Sequence, residues 1–145
     1  MIIVFANILV AIDGSEASQR AFDRALDIAK LGNTTLHAAY IVETGLFSSL
    51  PADNTVEIMY NVLKTEGENV LARVQEQAKT AGVAVKTFLK SGHAGSEIIR
   101  LADENKADLI VVGSHGKSQT DRLLIGSVST FVVTHSNVST MVVRS

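Results

Sequence analysis

Cysteine is absent from the 145 residues, which excludes a disulfide framework and any thiolate metal site. Neither is needed, because a chain of this length buries roughly 70% of the surface its unfolded form exposes. A single domain over 1–145 is expected. Lack of cysteine fits a reducing compartment without requiring one. Proline is nearly absent too, with Pro51 alone. Charge of one sign is lacking: the formal net charge is −2 and no basic stripe stands out, so nucleic acid is not an expected partner. No apolar run is long enough to cross a membrane. Residues 1–6 and 8–12 are apolar but are interrupted by Asn7, and together they fall short of a span. The opening lacks a charged n-region and a cleavage site. A cytoplasmic protein with no membrane partner is expected. His37, His93, His115 and His135 are scattered without ligand spacing, so no protein-only metal cage is expected.

What the chain does contain is a regular alternation of strand-like and helix-like segments, the pattern of a parallel α/β sheet. Strands are expected at about 5–12, 35–42, 83–90, 107–112 and 138–144. The first helix follows an N-cap at Ser15, carries Ala17, Ala21, Phe22, Ala25, Ile28 and Ala29 on one stripe, and stops near Gly32. A long second helix is expected over 56–81, with Ile58, Val62, Val70, Leu71, Val74 and Ala78 as its apolar stripe. Gly67 inside it costs about 1 kcal/mol against alanine and marks an expected bend. Two further helices are expected at 94–105 and 127–135. Residues 45–54 break the pattern and stand open as a solvated connector or a flap beside a site.

Right-handed crossovers make this an open, five-stranded parallel sheet of order 3-2-1-4-5, with helices on both faces. Its switch point falls between strands one and four, where ligands bind outside the carboxyl ends. Asp13 and Gly113 sit at those two ends.

The stretch 112–129 concentrates the chemistry. An apolar run, Leu109-Ile110-Val111-Val112, stops at Gly113. Gly116 follows, and then Gly126 with Ser127, Ser129 and Thr130. Glycine permits positive φ and removes the Cβ that would hold a ligand away. Free N–H groups in such a loop form an anion-binding concavity, and the next helix adds the positive end of its dipole. Ser127 and Ser129 offer hydroxyls and Lys117 a movable charge. The spacing is neither a Walker loop nor the dinucleotide fingerprint.

Gly113-x2-Gly116-x9-Gly126-Ser127 resembles the signature of the nucleotide-binding branch of the universal stress protein family. Asp13-Gly14-Ser15, Asp108-Leu109-Ile110-Val111 and the closing Met141-Val142-Val143-Arg144 resemble the same family, so the likeness covers essentially the whole chain. It implies a Rossmann-like fold and a bound adenine nucleotide: ATP, or AMP or ADP, with Mg or Mn. Adenine would lie by Ala11, Asp13 and the backbone of Ile41. Ribose and phosphates would follow Gly113, Ser114, His115, Gly116, Lys117, Ser118 and Gln119, then Gly126, Ser127, Val128 and Ser129. The resemblance also implies a homodimer through the last strand, which Val138 opens and Arg144 closes. An edge this apolar would otherwise invite aggregation. The chain departs from the family at Ala11 and near Ser139, where proline is common. The first departure would loosen the adenine-side wall, and the second touches the closing strand.

Single residues carry two readings each. Asp13 either forms an Asx turn that starts helix one, or faces the crevice to accept from a nucleotide or hold a hydrated Mg²⁺ on its phosphates. His115 reads as a solvent-facing loop histidine, because no acid is placed to orient it. His37 reads as a satisfied or edge position, and His93 as the entry of helix three. Asp121 and Arg122 read as parts of a solvated short helix. No catalytic residue is expected, since the chain lacks a Walker B carboxylate, an evident general base and an arginine clamp. The leading reading is a nucleotide-dependent regulatory or stress-response dimer with slow or partner-dependent hydrolysis at most. An adenylating or ATP-pyrophosphatase-type enzyme, and a dimeric scaffold with a vestigial loop, are the alternatives. A receiver domain is set aside, because Leu89-Lys90-Ser91 offers no phosphoacceptor aspartate.

Overall fold

A computed structural model describes residues 4–47, 54–115 and 125–144. In chain order the elements are β1 (Asn7–Ile12), α1 (Glu16–Lys30), β2 (Thr35–Glu43), a 3-10 turn (Thr44–Phe47), α2 (Asn54–Thr80), β3 (Val85–Gly92), α3 (Ala94–Glu104), β4 (Leu109–Gly113), α4 (Ser127–His135) and β5 (Thr140–Val143). The sheet runs β3-β2-β1-β4-β5 with every pairing parallel. Order, direction and helix placement are those expected from the sequence.

Both faces of such a sheet are covered, so its strands are continuously apolar and their two side-chain sets pack into two cores. Ile8, Val10, Ile12, Leu36, Ala38, Tyr40 and Val42 face α1 and α2, where Phe22, Ala25, Val70, Leu71, Val74 and Ala78 meet them. Leu9, Ala39, Ile110 and Val112 face the other way, against Ile98, Leu101 and Ala102 of α3 and Val132 of α4.

Helix ends explain where the strands begin. Ser15 caps α1 by accepting from Ser18 N at 3.1 Å, as expected. The helix closes at Lys30 with Leu31 as its cap, just short of Gly32. β3 starts at Val85 rather than 83, because Gly82 (φ +73) and Val83 donate back to Lys79 and Ala78 and finish α2 in a Schellman motif. Lys106 (φ 54) and Ala107 do the same for α3, which moves the start of β4 to Leu109. β5 begins at Thr140 instead of 138, since Val138 N is held by the Ser136 hydroxyl in the preceding turn.

One feature of α2 departs from expectation. Ile58 and Val62 are 61% and 56% exposed, so the buried stripe of the second half does not continue through them. Steps of four residues drift by about 40° around a helix of 3.6 residues per turn, which carries an i+4 series off the core face. Gly67 lies inside that helix without interrupting it. A Cβ there would stand 2.6 Å from the Tyr40 ring and 2.8 Å from Leu89 Cδ1, so the glycine admits close approach of helix to sheet. Of the expected connector or flap, the described residues hold only the 3-10 turn and the first residue of α2; 48–53 lie outside the described residues. Asp121 and Arg122 lie outside them as well.

His37 is 3% exposed on an interior strand, so it is no edge position, and it is only half satisfied. Its Nε2 meets Asn7 Oδ1 at 3.1 Å and its ring stacks on Phe88, but Nδ1 is buried without a partner among the described residues. Burial, and secondarily Lys86, hold its pKa below the usual 6.5. Above that pH both folded and unfolded chains are neutral at this residue. Below it the unfolded chain takes up a proton that the native one resists, so stability falls by up to about 1.4 kcal/mol per pH unit. His37→Gln is therefore expected to flatten the loss of stability between pH 6.5 and 5 in urea unfolding. A variant as acid-sensitive as the parent would assign the effect elsewhere.

Candidate functional site

The carboxyl ends of β1, β2 and β4 open into a cavity of about 390 Å³, a size suited to a small organic ligand. After β1 the chain turns through Asp13, Gly14 (φ 83) and Ser15 into α1. Asp13 Oδ1 accepts from Ser15 N at 2.9 Å, and Asp13 N donates to the Ser18 hydroxyl at 3.2 Å. The Asx turn is thus formed, and the same residue lines the cavity. Its second carboxylate oxygen makes no hydrogen bond among the described residues.

β4 reaches the cavity at Gly113, where an added Cβ would fall 2.8 Å from the carbonyl carbon of Ala17 and 2.9 Å from its oxygen. Only a bare backbone lets the first turn of α1 rest on the strand end. Ser114 is fully buried; its N–H donates to Val143 O at 2.8 Å, and its carbonyl accepts from Gly126 N. The Ser129 hydroxyl donates to Gly113 O at 3.0 Å. These bonds tie the start of α4 to the ends of β4 and β5. Gly126 is the N-cap of α4, with φ −67 and ψ 164 and no capping side chain. The first-turn N–H groups of Ser127, Val128 and Ser129 consequently have no partner among the described residues, and those residues line the cavity. Three orphan donors at a helix N-terminus are suited to an anion.

The opposite wall comes from β2 and α3. Ala39, Tyr40, Ile41, Val42 and Glu43 line it together with Ala94 and Ile98. Glu43 Oε2 accepts from Ala94 N at 2.8 Å, which satisfies the first donor of α3 and joins β2 to that helix. His93 is the N-cap of α3, its Nδ1 accepting from Ser96 N at 3.1 Å, as its position at the helix entry suggested. Burial first, and the charge of Asp13 second, raise the Tyr40 hydroxyl above its ordinary pKa.

Of the residues expected at a site, the cavity gathers Ala11, Asp13, Ile41, Gly113, His115, Gly126, Ser127, Val128 and Ser129. Ser114 stands behind the wall instead, with its backbone groups already bonded. Gly116, Lys117, Ser118 and Gln119 lie outside the described residues. His115 is partly buried against the cavity, its Nδ1 3.1 Å from the Ser114 hydroxyl, so it is not the solvent-facing loop histidine expected. Sequence reasoning missed Ser18, Tyr40, Glu43, Leu63, Ala94 and Ile98. Glu43 had a signal, since it ends β2 as Asp13 follows β1. No group of three or more histidine, aspartate or glutamate residues able to hold a metal ion occurs among the described residues. None of their helices is long and apolar enough to cross a membrane.

The sequence model of the Universal stress protein family matches residues 5–144. Universal stress protein MJ0531 of Methanocaldococcus jannaschii is 35% identical over 141 residues, covering 97% of this chain and 83% of that protein. Among solved structures, hypothetical protein MJ0577 superposes with a TM-score of 0.86 at 24% identity, over 99% of this chain and 98% of its own. A universal stress protein crystallised in complex with cAMP superposes with a TM-score of 0.66 at 31% identity, over 97% of each chain. Sequence and fold agree, and the chain belongs to the universal stress protein family.

Proposed function

We propose that this chain is one domain that binds an adenine nucleotide at the carboxyl ends of β1, β2 and β4, ATP before AMP or ADP. The observation that carries the reading is the set of three N–H donors at Ser127, Val128 and Ser129 that have no partner among the described residues, on residues that line a largely aliphatic cavity at the switch point of the sheet. The relative in complex with cAMP supports the choice of an adenine ligand. Phosphates lie over the first turn of α4, and the base lies between Ala11 and Ile41. Asp13, with one carboxylate oxygen outside the turn, holds a hydrated Mg or Mn carried in by the phosphates.

The domain acts as a cytoplasmic regulatory dimer in a stress response, joined through the strand that Val138 opens and Arg144 closes. Turnover is slow at most. Asp13 and Glu43 are the carboxylates of the cavity wall among the described residues; Glu43 accepts from Ala94 N, and the one oxygen of Asp13 left outside the turn goes to the metal, so on this reading neither serves as a general base.

Heat-denaturing freshly purified protein and separating the supernatant by ion exchange is expected to recover adenine nucleotide. Recovery of none, with no uptake on incubation with Mg-ATP, would overturn the reading. Asp13→Asn is expected to weaken ATP binding more in Mg²⁺ than in EDTA. Equal losses would place the carboxylate on the nucleoside or in the turn alone.

A further inference from the structure

The sheet ends on one side at β3, which pairs with β2 from Val85 to Gly92 and has no strand on its other side among the described residues. Leu36 is the register partner of Val85, and its N–H donates to Ala84 O. In a parallel ladder the even-numbered residues of β3 therefore turn their backbone groups toward β2, while Val85, Thr87, Leu89 and Ser91 turn theirs outward. The strand holds no proline, and its register with β2 is continuous, without a bulge. An edge of this length is a template for one more strand unless something defends it.

The defence here is charge of one sign. Lys86 and Lys90 are the charged residues of β3; both are exposed, and they flank the half-buried Phe88 on one face of the strand. Neither makes an ion pair among the described residues. Glu97, the acid near Lys90, is held by Arg100 at 2.7 Å. Lysines so placed reject a second copy of this edge, because two β3 strands paired antiparallel about Phe88 set each Lys86 opposite a Lys90. The other edge strand, β5, has no acid in Thr140–Val143. Like charges directly opposite destabilise a strand pair, whereas opposite charges stabilise it. The complement of β3 is thus a strand with acids four residues apart, roughly 13 Å, and an apolar residue midway, which neither edge of this chain supplies.

We propose that the outer edge of β3 docks an extended acidic segment of a partner protein, added antiparallel to the sheet with carboxylates opposite Lys86 and Lys90 and an apolar side chain opposite Phe88. The outward backbone groups of β3 supply the main-chain bonds, and the three side chains select the sequence. The heptapeptide Thr-Glu-Val-Phe-Val-Glu-Thr, titrated into the isotope-labelled full chain without nucleotide, is expected to give saturable NMR shifts of the Thr87 and Leu89 amides. Its analogue with lysine in place of both glutamates is expected to give none. N-methylation of the two valines, which sit opposite Thr87 and Leu89, keeps the charges but blocks the ladder, and is expected to abolish binding. Lys86→Glu combined with Lys90→Glu, at two exposed positions, is expected to weaken the acidic peptide roughly tenfold or more and to admit the lysine analogue. Absent or non-saturable shifts would overturn the proposal and leave the lysines as guards of the edge. So would equal shifts from the lysine analogue, undiminished binding of the N-methylated peptide, or an unchanged preference in the double variant.

Discussion

Gly126→Val is expected to lower nucleotide affinity about a hundredfold, the equivalent of losing one or two charge-assisted hydrogen bonds. The fold should stay unchanged by far-UV circular dichroism. Gly126 has φ −67 and ψ 164, a conformation open to any residue, so valine brings no backbone strain. What it brings is a branched side chain on the cavity wall, directly before the donors of Ser127, Val128 and Ser129. A phosphate held by those groups would have to retreat from them, and hydrogen bonds weaken steeply with distance and angle. A folded variant with undiminished affinity would remove the start of α4 from the binding site.

Gly113→Val acts on stability instead. The new Cβ would lie 2.8 Å from the Ala17 carbonyl carbon, 2.9 Å from its oxygen and 2.9 Å from its Cβ. Two of these are backbone atoms in the first turn of α1. No rotamer change relieves such a contact; either α1 or the end of β4 must shift. Overpacking of this kind costs up to about 3 kcal/mol, which lowers the melting midpoint by roughly 10 °C in a domain of this size. Urea unfolding of the variant measures it directly. A loss below 1 kcal/mol would mean that α1 does not rest on β4 as described. The pair of substitutions separates two uses of glycine that look alike in the sequence: one keeps a cavity open, and the other lets a helix touch a strand.

Much of this was legible in advance because it depends on local chemistry. Ser15 caps α1 by a hydroxyl acting three residues onward. The bounds of α4 are those that Gly126, Ser127 and His135 announce. The strand order follows from crossover handedness, and it brings Asp13 and Gly113 to one cavity. What escaped depends on distances between elements that are far apart in the chain. The packing role of Gly67 shows only once Tyr40 and Leu89 are seen against it. Ile58 and Val62 read as core until the rotation of α2 places them outside. Val83 and Ala107 read as strand, but their N–H groups close the preceding helices. Tyr40 escaped for a different reason: its alternation marks a core position, and nothing local says that the residue also borders a cavity.

Isothermal titration of the nucleotide-free protein with Mg-ATP, run beside Gly126→Val, tests the central claim most directly. Saturable binding with a dissociation constant in the micromolar range, lost in the variant, is the predicted result. No heat of binding in the parent chain, or the same heat in both, would contradict the assignment of the α4 N-terminus as a phosphate site.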